Sequence, residues 1–207
     1  MTTEPASLPT AANVLTFWFG RGWPGDWPTE DRHAIWFGGG TELDQRMRQH
    51  FGPLLEAALQ GDLQAWEHPL QARLALILLL DQFNRNIHRG SARAFAGDGR
   101  AQKLVLQTLA LAQDEELPTV GRLFLYMPLM HAESLSLQFE CVERINRLVQ
   151  HSPAALARSL QGNLAAAQQH LAIIEKFGRF PHRNAALNRA STPAEEAFLR
   201  DGPRFGQ

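Results

Sequence analysis

Gln71-Ala72-Arg73-Leu74-Ala75-Leu76-Ile77-Leu78-Leu79-Leu80-Asp81-Gln82-Phe83 contains the longest apolar run of the chain, Leu74–Leu80, fenced by Arg73 and Asp81. Leucine and alanine are strong helix formers, and no glycine or proline interrupts the run. A helix that is apolar all round its middle has no face to give to water and must be buried on most sides. Seven residues rise only about 10 Å in a helix, and a bilayer core needs about 30 Å. The run therefore reads as a core helix and not as a membrane span.

Helical signals continue in both directions from it. Asn13 is expected to cap a short helix, Val14–Phe19, that ends at Gly20. Gly22, Pro24, Gly25 and Pro28 then make a turn-rich loop, which Trp23 and Trp27 pin to the body. Thr41 is an N-cap after Gly38-Gly39-Gly40, and Leu43, Met47, Phe51, Leu54 and Ala58 recur at helical spacing. Pro53 is expected to kink or split that helix. Leu63–Trp66 forms another helical start. Beyond Phe83, helices are predicted from Asp98 to about Ala112 and from Leu117-Pro118. A long one is predicted over Leu129–Gln150, with Leu135, Val142, Ile145 and Val149 facing inward. Pro153, after the Ser152 cap, starts one that runs to about Lys176. Ser191-Thr192-Pro193-Ala194-Glu195 opens the last, with a hydroxyl cap and an acid in the first turn. No strand alternation and no fixed-period repeat is found. The fold class is all-α, about nine helices in an irregular bundle or array. Residues 1–12 are expected to be a loose tail and 13–207 a single domain.

The composition narrows the function classes. The 207 residues are 44% apolar, and 20 basic against 21 acidic residues leave a net charge of −1. That balance does not suggest a general nucleic-acid or membrane-surface binder. With one cysteine, Cys141, no intramolecular disulfide can form. A reducing, cytoplasmic compartment is expected. Met1–Thr10 has no basic segment leading into an apolar run, so no secretory signal is read there. Neither a phosphate-binding glycine motif nor a Gly-x-Ser-x-Gly elbow is present, and no cofactor is expected.

Two polar stretches break the apolar pattern. In Asp81–Arg89, Asp81 shares a helix face with Ile77 and Leu78, and Arg85 follows one turn later as an acid-before-base pair. Asn86 and Arg89 come next. This set fits a buried ion pair that fixes a turn between helices. It fits equally a pocket wall in which Asp81 orients an arginine toward a carboxylate or phosphate. In Phe177-Gly178-Arg179-Phe180-Pro181-His182-Arg183-Asn184, aromatic anchors flank Arg179, His182, Arg183 and Asn184. Loops held down by aromatics commonly carry binding residues, and the alternative is a plug at a helix end. His131 and Gln138 share a face with Leu135, while Glu133 points about 200° round the helix from His131. No metal site is expected from these: His131, Glu133, His170 and His182 show no i,i+4 ligand spacing, and nearby arginines disfavour a cation. A lone histidine on an apolar face is more often a hydrogen-bonded core residue than a catalyst. His170 lies on such a face, with small residues at Ala165–Ala167 that permit close helix approach or leave room for a ligand.

Phe17-Trp18-Phe19-Gly20, Leu78-Leu79-Leu80-Asp81-Gln82-Phe83 with Arg85-Asn86, Tyr126-Met127-Pro128 with His131-x-Glu133, and Phe177–Asn184 with Arg189, Ser191, Thr192 and Pro193 together resemble one bacterial family, that of domain of unknown function 924. The likeness runs from about Val14 to Leu199. It implies a helical fold similar to tetratricopeptide-repeat-like domains, with stacked antiparallel helix pairs, and it implies no reaction. The sequence departs from the family pattern at Asn84, where proline is usual, and at His88, where an aromatic is common. It also has Ala132 where serine is usual and Asn188 where glycine is usual.

Two functions from different classes follow. The first is a small-molecule binder or enzyme for an anionic ligand. Glu133, His131 and His182 would be its acid–base candidates, and Asp81, Arg85, Asn86, Arg89, Gln138, His170, Arg179, Arg183 and Asn184 its binding residues. The second is a helical interaction module without catalysis, in which the same residues hold helices together. A partner protein or a homo-oligomer remains open in either case.

Overall fold

The computed structural model describes residues 8–203 and 205. Of the expected tail, residues 1–7 lie outside these, and the first helix, α1 (Ala11–Phe19), begins within the remainder. Its cap is Thr10 and not Asn13. The Asn13 side chain accepts the Thr10 amide at 2.8 Å while Thr10 accepts the Asn13 amide, a reciprocal capping box. The other helices among the described residues are α2 (Thr41–Leu59), α3 (Leu70–Leu78), α4 (Asn84–Ile87), α5 (Asp98–Ala110), α6 (Thr119–Met130), α7 (Leu135–His151), α8 (Ala154–Phe177) and α9 (Pro193–Asp201). No strand occurs among the described residues, so the chain is all-α. None of these helices is long and apolar enough to cross a membrane.

The core forms around the stretch that the sequence marks out. Every residue from Leu74 to Leu80 is fully buried. Trp18 and Phe19 of α1, Met47 and Phe51 of α2, Leu104 of α5 and Phe124 of α6 belong to the same cluster. Aromatic rings lock α1 to its neighbours: Phe17 meets Phe51 edge-on at 5.0 Å, and Trp18 meets Phe124 at 5.5 Å. A π-helical turn, Leu79–Phe83, joins α3 to α4 without a break in the helical path. Such turns are rare and concentrate at functional sites. This one carries Asp81. A second π-helical turn, Ala34–Gly38, precedes α2.

Several sequence expectations are corrected. Pro53 leaves α2 as one helix. Both Pro53 and Gln49, whose carbonyl the missing N–H would have served, are exposed, so water can take that bond. The N-cap of α2 is Gly40, one residue before Thr41. The long helix over Leu129–Gln150 is two helices. α6 runs through Pro128 to Met130, and the chain turns over His131–Ser134 before α7 begins. Gln138 makes the break inexpensive: its Nε2 donates to the carbonyls of Met130 and Ala132 at 2.6 and 2.8 Å, which pairs groups that a helix end otherwise leaves open. The altered start also turns Leu135 outward, to 44% exposure, whereas Ile145 is buried.

A two-residue link returns α8 along α7, the most extensive helix–helix contact in the chain. Gly178 then ends α8 with φ +68, in the left-handed region where glycine is favoured. Ile173, Ile174 and Phe180 form a small separate core with Phe177 and Phe198. That core seats the 3₁₀ turn Pro181–Arg183 beside the break between α6 and α7.

Candidate functional site

A cavity of about 370 Å³ opens where the α3–α4 path, the end of α6, α8 and the π turn before α2 meet. Its polar wall is Gln82, Arg85, Asn86 and Arg89. Trp36, Phe37 and the Gly38–Gly39 backbone form the opposite rim, and Met127 and Met130 supply an apolar patch. His131 comes from the end of α6, and Asn163, Ala166 and His170 from α8. Ala166 belongs to the small-residue patch read in the sequence as room for a ligand. Both π-helical turns of the described chain reach this cavity.

Asp81 lies beneath it at 1% exposure. The π turn aims its carboxylate at His131, whose Nδ1 stands 2.8 and 3.0 Å from the two oxygens. Gln82 Nε2 donates to one oxygen at 2.6 Å, and Arg85 Nη1 lies 2.9 Å from the other. Burial alone would push this carboxyl up. The Arg85 guanidinium, the His131 ring and the Gln82 amide outweigh burial and hold it well below the usual carboxylate range. His131 is driven down, first by burial and then by Arg85; Asp81 and its hydrogen bond pull upward without prevailing. The ring is therefore neutral at pH 7, and the charge on Asp81 is balanced chiefly by Arg85.

Arg85 is shared with a second acid. Asp98 Oδ1 and Oδ2 accept from its Nη1 and Nη2 at 2.8 and 3.0 Å. Asp98 is the first residue of α5, where the helix dipole favours a carboxylate. Gly97 allows that approach, because a Cβ there would run into the carbonyl of Leu80. Asp98 also pairs with Arg183 at 3.5 Å, and Arg183 Nη2 donates to the His131 carbonyl at 3.0 Å. The two polar stretches of the sequence thus meet through Asp98 and His131. Burial, and then Arg85, lower the Arg183 guanidinium to about 10. Its faces lie over Phe95 and Phe180 at 4.7 and 4.5 Å. Arg89 closes the wall, with Nε and Nη2 donating to Asp44 at 2.8 and 3.2 Å and Nη2 to Asn86 Oδ1 at 2.8 Å.

Other sequence candidates stand elsewhere. Gln138 spends its amide on the end of α6. Glu133 accepts the Phe180 amide at 2.8 Å and pairs with Arg189 at 2.6 Å, so it ties the turn after α6 to the Phe177–Asn184 stretch and does not line the cavity. Arg179 binds Glu195 at 2.6 and 2.8 Å and the Ala190 carbonyl at 2.9 Å, away from the cavity. Asn184 is buried and donates to Ser191 at 3.1 Å while accepting from Arg189 at 3.0 Å. Near it, Asn188 takes φ +52, a left-handed position that suits the glycine usual there and that asparagine tolerates. His182 packs against Phe180 and Phe205, with ring centres 5.5 and 5.4 Å away. His170 donates Nδ1–H to the Ala166 carbonyl at 2.8 Å and stacks on Phe205 at 3.8 Å. Burial above all lowers His170 to about 3 and His182 to about 4.

Sequence reading missed Asp44 and Asp98, which hold the two cavity arginines, and the rim at Trp36 and Phe37. Asp98 carried a signal only as a helix opener. Among the described residues, no group of three or more His, Cys, Asp or Glu side chains is placed to hold a metal ion.

The family described as bacterial protein of unknown function (DUF924) matches residues 14–203. Among solved structures, a protein of unknown function from Agrobacterium tumefaciens is similar at 32% identity, with a TM-score of 0.76, over 93% of this chain and 97% of that one. No curated protein matches. The chain belongs to the bacterial family of unknown function DUF924.

Proposed function

We propose that the cavity binds a small molecule with an apolar body and one carboxylate or similar anionic group, held at the wall formed by Arg85, Asn86 and Arg89. One observation carries this reading: polar side chains of the α3–α4 path and its extension, His131, Asn163 and His170 converge on one space lined otherwise by aromatic, methionine and alanine side chains and the Gly38–Gly39 backbone. A few placed polar groups within an apolar concavity is the usual make-up of a ligand site, and about 370 Å³ is within the usual size range. The charges set the kind of anion. Arg85, Arg89 and Arg183 are matched by Asp81, Asp98 and Asp44. A single carboxylate that takes hydrogen bonds fits this balance better than a polyphosphate, which needs surplus positive charge.

The interaction-module reading draws on Leu135 and Phe139, exposed one turn apart on α7. That pair is a small patch, and the paired bridges of Glu133, Arg179 and Asn184 are the part of the site that suits it. The test is a thermal-shift and calorimetric panel of small carboxylates, phosphate, and the uncharged amides of the same carboxylates. A carboxylate should raise the melting temperature, its amide should not, and Arg89→Gln should remove the gain. Equal shifts from acid and amide would overturn the anion part. A panel with no binder at millimolar concentration would overturn the ligand site.

A further inference from the structure

A histidine that donates one ring N–H to a buried carboxylate presents its other nitrogen as a proton acceptor. His131 is in that position. Asp81 is ionised and can only accept, so Nδ1 carries the proton and Nε2 the lone pair. Nε2 makes no hydrogen bond among the described residues, and the ring lines the cavity. Resting on the reading of the cavity as a ligand site, we infer that His131 is a general base, oriented by Asp81, that deprotonates a water for attack on an acyl group of the bound molecule.

The lining explains the choice of water. No serine, threonine, cysteine, lysine or tyrosine faces the cavity among the described residues. The side chains that most often attack acyl carbons are thus missing from the wall, and a nucleophile must be brought in. Arg85 stands on the same wall as a donor for the oxygen that gains charge. In the step, the water oxygen forms the new C–O bond while its proton passes to Nε2. The carbonyl π pair moves onto oxygen, then returns as the bond to the leaving group breaks. The imidazolium gives its proton to the departing atom. One water is consumed, and His131 and Asp81 end as they began.

Asp81 acts here as a positioning residue. The groups facing His131 are Asp81 and Arg85 from the α3–α4 path, His170 from α8, and His182 and Arg183 from the turn after α8. Their sum, led by burial, keeps the imidazole below its ordinary 6.5, so the base is unprotonated at pH 7.

The experiment uses the full chain and p-nitrophenyl acetate as the acyl probe, with nitrogen-15 spectra of the histidine rings from pH 5 to 9. The wild type should show His131 neutral and protonated at Nδ1. Hydrolysis should rise with pH through a midpoint below 6.5 and then level off. His131→Gln should lower the rate on the order of tenfold or more, to what the surface histidines supply. Asp81→Asn should lower the rate and move the His131 midpoint further down, because a carboxylate that raises it is gone. The ring spectra of the wild type decide the matter even if Asp81→Asn does not fold. Hydrolysis unchanged in His131→Gln, or Nε2 found protonated at pH 7, overturns the assignment. A carboxylate that binds while hydrolysis ignores His131 removes the base and leaves the ligand site. Hydrolysis that depends on His131 with no carboxylate bound supports the base and removes the anion preference.

Discussion

Asp81 and Asp114 are both buried, and each is held by an arginine and a ring. Arg85 and His131 stand 2.9 and 2.8 Å from Asp81, and Arg144 and Tyr126 stand 3.0 and 2.6 Å from Asp114. The rings separate them. Tyrosine has one polar atom, and Tyr126 commits it to the carboxylate. Burial first, and then the hydrogen bond to Asp114, raise that hydroxyl far above its ordinary value, so it stays a donor. Histidine has two nitrogens. His131 commits one to Asp81 and keeps the other for the cavity. The same buried anion therefore serves as a structural tie at Asp114 and as the support of a proton acceptor at Asp81. What differs is the number of polar atoms on its partner.

The largest effect should come from Asp81→Ala, which leaves Arg85 and His131 facing a hole. Loss of one partner of a buried ion pair costs about 3–5 kcal/mol, to be read from urea denaturation. Asp114→Ala should also destabilise, yet leave p-nitrophenyl acetate hydrolysis per folded molecule unchanged. Equal loss of hydrolysis in both would break the contrast.

Acid should act next, through two histidines near His131. His170 and His182 have folded values near 3 and 4, below the ordinary 6.5. The unfolded chain therefore takes up protons first as the pH falls. Stability from these groups is complete above about pH 6.5 and is lost through the window down to about 4 for His182 and about 3 for His170. Each contributes at most about 1.4 kcal/mol per pH unit. Denaturation midpoints measured from pH 7 to 4.5 should fall in the wild type, and less steeply in His170→Gln.

Tyr126→Phe removes one buried hydrogen bond and should cost about 1–2 kcal/mol, with no change in hydrolysis. Arg179→Ala should have the smallest effect. Its partner Glu195 lies outside the cavity, so any carboxylate-induced thermal shift should match that of the wild type. A reduced shift would return Arg179 to the binding wall.

The helices were legible because their signals are local. The Thr192–Glu195 capping box forms as the residues suggest, and the Leu74–Leu80 run lies in the core. The break after α6 was not legible, because it depends on a glutamine side chain folding back on carbonyls six to eight residues earlier. For the site, Asp81 with Arg85 could be read from spacing. Their sharing with Asp98 and Arg183 could not, since Arg183 is 85 residues from Asp98 along the chain. Arg179 and Arg183 look alike in sequence. One meets Glu195 and the other Asp98, and only tertiary packing makes that choice.

The π turn at Leu79–Phe83 makes chain length matter inside a helix. A π turn is in effect an α-helix that has accepted one extra residue. Removal of a single residue there would let the ladder close again as α-helix, so the backbone would keep its hydrogen bonds. Everything after it would swing by about 100° around the axis. Arg85, Asn86 and Arg89 would leave the cavity wall while the helix itself survived. In a lineage, a one-residue deletion between Leu79 and Phe83 would then cost the protein its site and force the buried Phe83 and Ile87 to repack, and relatives that lack the extra residue should also lack the pairing of Asp81 with His131.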